Sequence, residues 1–382
     1  MKKITFLVLH LGYGGAEKAI ASQANMLSER YEVEVISTYK LYDKPPFYFN
    51  TNVKIKYLLG EEIKPNKEEI KASIKNKKIL NLLNEGMKSI KILYLRKSMM
   101  RKAVQSCDAD IIISSRLLYN KLLTRNCKQG VICIAQEHNH HNKDEKYINK
   151  IINSIKKMDY FMPVSKELTS FYKKRIGETN TKCVYIPHCI DEIPQNTSSL
   201  MCKNIISVGR LSSEKGFLDL LDVFKIINKD NPEWILNIIG DGDQRESIEN
   251  RIKELHLDRN VILHGYQNKE YINKLLQKSS IYIMTSFEES FGIVLLEAQS
   301  FGIPCVAFDS AKGALEIIDH EENGFLVGDR EKNIMVRYIQ SLIDDKKLRL
   351  DLGRNGREKC YKYSMENVKA QWLTFIDSIG RK

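Results

Sequence analysis

Short unbroken runs of Ile, Val and Leu recur along the chain, and between them lie longer stretches whose apolar residues return every three or four positions. The first pattern is that of parallel strands covered on both faces, the second that of amphipathic helices. In the first half it predicts strands near 3–10, 32–37, 53–57, 110–114, 131–135, 160–164 and 183–186. Helices are expected to start near Gly15, Glu68, Arg116, Glu145 and Ser165. The polar stretch DEIPQNTSSLMCK at 191–203 carries Pro194 and no period, and reads as a linker. Alternation resumes with strands near 205–208, 234–239, 261–263, 281–284, 305–308 and 325–327, and the chain turns helical from about Glu331. The expectation is α/β: two Rossmann-like, doubly wound domains, 1–190 and 204–360, facing each other across a cleft bordered by strand carboxyl ends.

The opening MKKITFLVLHLGYGGAEKA has the outline of a secretion signal, with two lysines, an apolar run and small residues. That run is short, His10 interrupts it, and helical spacing continues directly through Ala19, Ile20, Ala24 and Leu27. A strand, a glycine turn and a helix fit better. No apolar window approaches the roughly 20 residues of a spanning helix. The eight cysteines are scattered without C-x-x-C or paired zinc spacing, in a chain long enough to build its own cores. A reducing cytoplasm is expected.

Charge changes this picture by half. Residues 1–190 carry 34 Lys and Arg against 18 Asp and Glu, a net +16; residues 191–382 carry 26 against 30, a net −4. Much of the excess lies in 64–102, with 12 basic and three acidic residues, where Ile79, Leu82, Leu83, Ile90, Leu93 and Tyr94 recur at helical spacing. That is a basic amphipathic helix, suited to an anionic membrane surface or, alternatively, to packing on its own domain. Nucleic acid is not expected, because stacking aromatics are not interleaved with the charge.

The densest chemistry lies in SFEESFGIVLLEAQSFGIPCVAFD, where Glu289 and Glu297 stand eight apart. A strand ends at Met284, and Gly292 permits a tight entry into a helix. The N–H groups of Phe291, Gly292 and Ile293 are left to an anion, with the positive end of the helix dipole behind them. Glu297 lies about 7 Å along the axis at 1.5 Å per residue. An anion at the tip and a carboxylate further in suit the phosphate and ribose of a nucleotide. In IISVGRLSSEKG, Arg210 and Lys215 flank the loop after the first strand of this half. A guanidinium fork and a compact ammonium suit a diphosphate and its charge on leaving. IIGDGDQR places Gly240 in another turn on that edge. The pairs Asp108/Asp110 and Asp241/Asp243 read as turn residues rather than as metal ligands.

Taken together, the Glu289/Glu297 spacing, the Arg210…Lys215 pair, the Gly240-Asp241-Gly242 turn and the NGFLV at 323–327 resemble family 4 of the retaining glycosyltransferases, of GT-B fold. The resemblance is dense in the second half and looser in the first. It implies a C-terminal helix, 361–382, returning to the first domain. It also implies hexosyl transfer from a nucleotide diphosphate sugar, with UDP expected, to a saccharide or lipid-linked acceptor, as in capsule, exopolysaccharide or lipopolysaccharide assembly. The implied donor-binding set is Gly14, Gly15, Arg210, Lys215, Gly240, Tyr266, Phe291, Gly292, Ile293 and Glu297. Glu289 and His138 are the implied catalytic positions. The Gly12–Gly15 loop would cap the diphosphate and line the acceptor site, and His138, in EHNHHN, would touch the sugar or acceptor. No catalytic metal or other cofactor is expected. The chain departs from the family at YIPHCID, where His188-Cys189 replaces the usual Asn-Gly and leaves the domain boundary open.

Other readings stay open on these residues. A UDP-sugar epimerase of the same fold would form product without an acceptor, and a phosphorylase would show a pyridoxal chromophore. A non-catalytic binder would hold the nucleotide sugar and transfer nothing. The Gly12–Gly15 turn also has a purely steric reading, and EHNHHN one as a solvated loop.

Overall fold

The computed structural model describes residues 1–76, 78–177 and 179–380. The chain divides into two units, Met1–Ile186 with the C-terminal residues from Lys369, and Pro187–Val368. In unit 1, β1 (Lys3–His10), α1 (Gly15–Ser28), β2 (Glu32–Tyr39) and β3 (Val53–Leu59) are followed by α2 (Lys67–Lys75) and the long α3 (Ile79–Ser106). Then come β4 (Ile111–Ser114), α4 (Leu117–Asn126), β5 (Ile132–Glu137), α5 (Glu145–Ile155), β6 (Tyr160–Pro163), α6 (Lys166–Arg175) and the short β7 (Lys182–Cys183). All pairings are parallel, in the order β3-β2-β1-β4-β5-β6-β7. Runs such as Ile111-Ile112-Ile113 are wholly buried, as strands with a helix layer on each face must be.

Unit 2 repeats the plan with β8 (Asn204–Val208), α7 (Phe217–Asp230), β9 (Ile235–Ile239), α8 (Arg245–Glu254), β10 (Val261–Leu263), α9 (Lys269–Leu276), β11 (Ile281–Met284) and α10 (Ile293–Ser300). It continues through β12 (Cys305–Phe308), α11 (Ala314–Ile317), β13 (Gly324–Val327), α12 (Lys332–Asp344) and α13 (Lys346–Cys360); the last helix, α14 (Met365–Ser378), begins in unit 2 and passes into unit 1 at Lys369. Its order is β10-β9-β8-β11-β12-β13, also all parallel, with Ile205, Phe224, Leu236, Ile283 and Val306 in one core. In each sheet the winding reverses once, between β1 and β4 and between β8 and β11. The carboxyl ends of those strand pairs are where such sheets leave a crevice for ligands.

Helix starts follow local chemistry. Asp144, Ser165, Asn268 and Asp345 cap α5, α6, α9 and α13 by accepting backbone N–H bonds. Among the described residues no helix is long and apolar enough to cross a membrane.

The boundaries differ from the sequence expectation. The division falls at Ile186/Pro187, not after residue 190, and 191–203 is no free linker. Its backbone is fastened to unit 2: Arg357 donates to the Pro194 carbonyl at 2.6 Å, and Ser198 N–H to the Phe301 carbonyl at 2.8 Å. Leu200 is buried and its carbonyl accepts from Arg349. Polar composition hid a segment whose partners are far away in sequence. Residues 361–368 also stay with unit 2, where the Ser364 backbone bridges to Ile190 and the Tyr363 hydroxyl reaches the Glu316 carbonyl at 3.1 Å. Only from Lys369 does the chain belong to unit 1. There Trp372 and Ile376 are buried, and Lys2 donates to the Ile376 and Ile379 carbonyls at 2.5 and 2.8 Å. The single basic helix expected over 64–102 is two helices, α2 and α3.

Candidate active site

The loops leaving β8, β9 and β11 form one surface at the carboxyl edge of unit 2. Gly209 N–H donates to the Ile239 carbonyl at 3.0 Å, and Leu211 N–H to that of Asp241 at 3.0 Å. Such closeness demands glycine at 240: its φ is +141°, and a Cβ would lie 1.8 Å from the Gly209 oxygen. Gly240 N–H reaches on to Gly265, beside the exposed Tyr266. Arg210 is exposed on this surface and makes no ion pair among the described residues. Lys215, in the turn Ser213–Lys215, sets its ammonium 2.6 Å from the Glu289 carboxylate; both are partly buried.

Glu289 is placed by its own backbone, whose carbonyl accepts from Gly313 at 2.7 Å. Gly292 then turns the chain with φ +87°, and α10 begins at Ile293 with its first N–H groups facing outward from the helix end. The Phe291 ring is buried against His188, so Phe291 offers only its backbone to a ligand. Glu297, half-buried, lines a small hollow with Asp191, Lys269 and Asn273, and Lys269 pairs with Asp191 at 2.7 Å. A cationic pair, a helix start and two carboxylates on one strand edge suit a ligand with an anionic centre and hydroxyl groups on both sides of it.

Sequence reasoning missed the residue that holds this loop. The Arg330 guanidinium lies over the Phe287 ring at 3.7 Å and the Phe308 ring at 4.3 Å. It donates to the Thr285 and Ser286 carbonyls at 2.9 and 3.0 Å and to the Ser310 hydroxyl at 2.9 Å, and pairs with Asp219 at 2.8 Å. Lys332 bridges Asp219 to Asp222, which Arg251 also binds. Arg330 thus fixes the start of the β11–α10 loop from behind by three contacts, to Thr285, Ser286 and Phe287. Its φ of +59°, rare for a residue with a side chain, is held by those contacts.

Gly14, Gly15 and His138 are in unit 1. Gly14 has an extended backbone before α1, and a Cβ on Gly15 would meet nothing within 4 Å, so no packing inside the unit requires glycine at 15. Beside them lies a polar cluster that the sequence reading passed over. Glu17 is buried in the first turn of α1, 2.5 Å from Arg116 and 3.8 Å from His10. Burial lowers the pKa of His10, an effect that Glu17 opposes and Arg116 reinforces. Glu137 ends β5 fully enclosed, its carboxylate accepting from the Asn139 N–H at 2.9 Å and side chain at 3.2 Å. Burial pushes its pKa above the ordinary 4.5, with Asn139, Tyr147 and Arg116 pulling the other way. His138 follows, half-buried. His140 faces Asn142 and Glu167, while His141 packs against Phe171. Among the described residues no three His, Cys, Asp or Glu gather as a metal would need. Asp110 accepts from the Lys3 N–H at the start of β1, a bond to a distant part of the chain, while Asp241 accepts from the adjacent Gly242 N–H within its turn.

Residues 190–359 match the family described as Glycosyl transferases group 1. An exopolysaccharide phosphotransferase of Streptomyces coelicolor is 27% identical over 100% of this chain, which spans 41% of that relative's length. A Campylobacter jejuni enzyme is 24% identical, with 99% of each chain covered. It is named as an alpha-1,4-N-acetyl-D-galactosaminyltransferase acting on a diNAcBac-PP-undecaprenol glycan. In fold the chain is similar to HepE of Anabaena, solved in complex with UDP-glucose, with TM-score 0.74, 17% identity and coverage of 99% and 100%.

Two outcomes follow from the geometry. Arg330→Met strands two buried carbonyls and Asp219, and is expected to cost about 3 kcal/mol in urea unfolding; an unchanged midpoint would remove Arg330 from its anchoring role. For Glu137 the folded pKa is raised, so its contribution is full below pH 4.5, the unfolded value, and is lost as pH rises through the folded value. Glu137→Gln is therefore expected to flatten the fall of stability above pH 4.5 by up to about 1.4 kcal/mol per pH unit. Identical pH profiles for the two proteins would show that Glu137 ionises as freely in the fold as outside it.

Proposed function

We propose that the chain, whose residues 190–359 match the group 1 glycosyl transferases, transfers a hexosyl residue from a UDP-sugar, with retention, to a saccharide or lipid-linked saccharide during polysaccharide assembly. The observation that carries this reading is the Lys215–Glu289 contact at the start of α10, beside Arg210, on the switch-point edge of unit 2. The Campylobacter relative named for a polyprenyl-linked substrate and the UDP-glucose complex of HepE support the choice of acceptor and donor.

Arg210, Lys215 and the N–H groups at Phe291–Ile293 hold the diphosphate, and Glu297 takes the ribose hydroxyls. Lys215 and Glu289 are paired at 2.6 Å. A diphosphate that draws Lys215 away releases Glu289 for the hydroxyls of the sugar. The bond between the anomeric carbon and the β-phosphate oxygen breaks with its electron pair on the phosphate. The acceptor oxygen bonds to that carbon on the same face, and its proton passes to the departing phosphate oxygen. The charge that grows on the diphosphate meets two cations and a helix start already aimed at it, which is how fixed dipoles lower a barrier. In unit 1, Gly14, Gly15 and His138 serve the sugar and acceptor. The reaction asks for no cofactor.

Glu289→Ala is expected to keep UDP affinity within about threefold while lowering transfer by at least about 100-fold, the loss of a group that acts only on the reacting sugar. Calorimetry with UDP and a product assay with a nucleotide-sugar panel read the two separately. Normal turnover in the variant would take Glu289 out of the reaction.

A further inference from the structure

Along α3, Leu80, Leu83, Met87, Ile90, Leu93 and Tyr94 are all exposed, from 48% for Leu93 to 77% for Leu80. At 100° per residue all but Leu93 fall within about 80° of one another, and the row runs about 21 Å along the axis. The helix does not lack a packed side. Ile92 is buried with Tyr39 and Leu59, and Leu95 and Met99 pack against them. The exposed row is thus a second apolar face, turned away from the core of unit 1. Water-facing rows of this length mark interaction surfaces.

The charge around the row says what covers it. α3 carries six basic residues, Lys88, Lys91, Arg96, Lys97, Arg101 and Lys102, against one acid, Glu85. That acid is already engaged: Asn66 donates to its carboxylate at 2.6 Å, and Lys88 lies 3.7 Å away. Lys91 and Lys88 border the apolar row on one side, and Lys97 and Arg101 extend along it toward the carboxyl end. A second copy of the chain would bring two such cationic helices together, which charge repulsion opposes. An anionic bilayer meets both demands at once, taking apolar side chains at the acyl boundary and ammonium groups at the phosphates.

We propose that α3 docks unit 1 on anionic membrane by inserting the row from Leu80 to Tyr94, with Lys88, Lys91, Lys97 and Arg101 at the headgroups. The inference stands on this helix alone, and its test needs no turnover, so it fails or holds apart from the transferase reading.

The full chain is sedimented with phosphatidylcholine vesicles, with and without one-third phosphatidylglycerol, at low and physiological salt. The expected preference for anionic vesicles is at least about tenfold. The exposed-position variant Leu80→Ser/Leu83→Ser/Met87→Ser/Ile90→Ser keeps every charge and is expected to lose about 100-fold in binding, even at low salt. Circular dichroism and the thermal midpoint confirm its fold. Met87→Trp, read against the parent protein, is expected to shift its emission to the blue only with anionic vesicles. Equal binding of the serine variant would mean charge alone and overturn insertion. Failure of the parent protein to bind anionic vesicles would overturn the proposal outright. So would a concentration-dependent dimer that the serine substitutions abolish, since the row would then serve a second copy.

Discussion

The guanidinium of Arg330 lies between two aromatic rings and holds the first two carbonyls of the β11–α10 loop, and what that loop presents depends on this anchorage. A helix start attracts anions only if its N–H groups stay aimed at one place. The β11–α10 loop has eight residues between strand and helix, so aim must come from outside the helix. Arg330 fixes one end, and the Gly313–Glu289 bond fixes the middle. Gly292 sets the final turn. The ion network through Asp219, Lys332, Asp222 and Arg251 ties the anchor to α7 and α8.

The two units treat charge differently. In unit 2 the site carries its opposite charges in contact, Lys215 on Glu289, so an incoming anion exchanges one partner for another and no isolated charge is buried. In unit 1 the switch-point polar groups are more enclosed. Glu17 is neutralised by Arg116, while Glu137 is held by an amide and favours its proton. The large positive excess of the first half lies elsewhere, much of it along α2 and α3.

Both sheets were legible in the sequence because a parallel strand buried on two faces writes its burial into consecutive residues. The runs at 281–284 and 305–308 coincide with β11 and β12. The placement of Glu289 and Gly292 before a helix start, and of Glu297 within that helix, was legible because it is local, set by a strand end and a helix start. Arg330 was not. It acts on carbonyls 44 and 45 residues earlier and between rings from two different strand ends. Glu137 looked like the polar end of a strand, and only the fold encloses it. The segment 191–203 misled for the same reason, since Arg349 and Arg357 satisfy its carbonyls from α13. The split of the basic stretch into α2 and α3, and the exposure of the second apolar face of α3, likewise depend on which side the fold covers.

The central claim is that unit 2 recognises the second phosphate of a nucleotide diphosphate through Arg210, Lys215 and the start of α10. Calorimetric titration of UDP, UMP and uridine into the parent protein and the Arg210→Ala/Lys215→Ala variant tests it most directly. UDP is predicted to bind the parent at least about tenfold more tightly than UMP, a margin of about 1.4 kcal/mol, and the variant is predicted to lose that margin. Equal affinity for UDP and UMP in the parent, or an undiminished margin in the variant, would contradict the account.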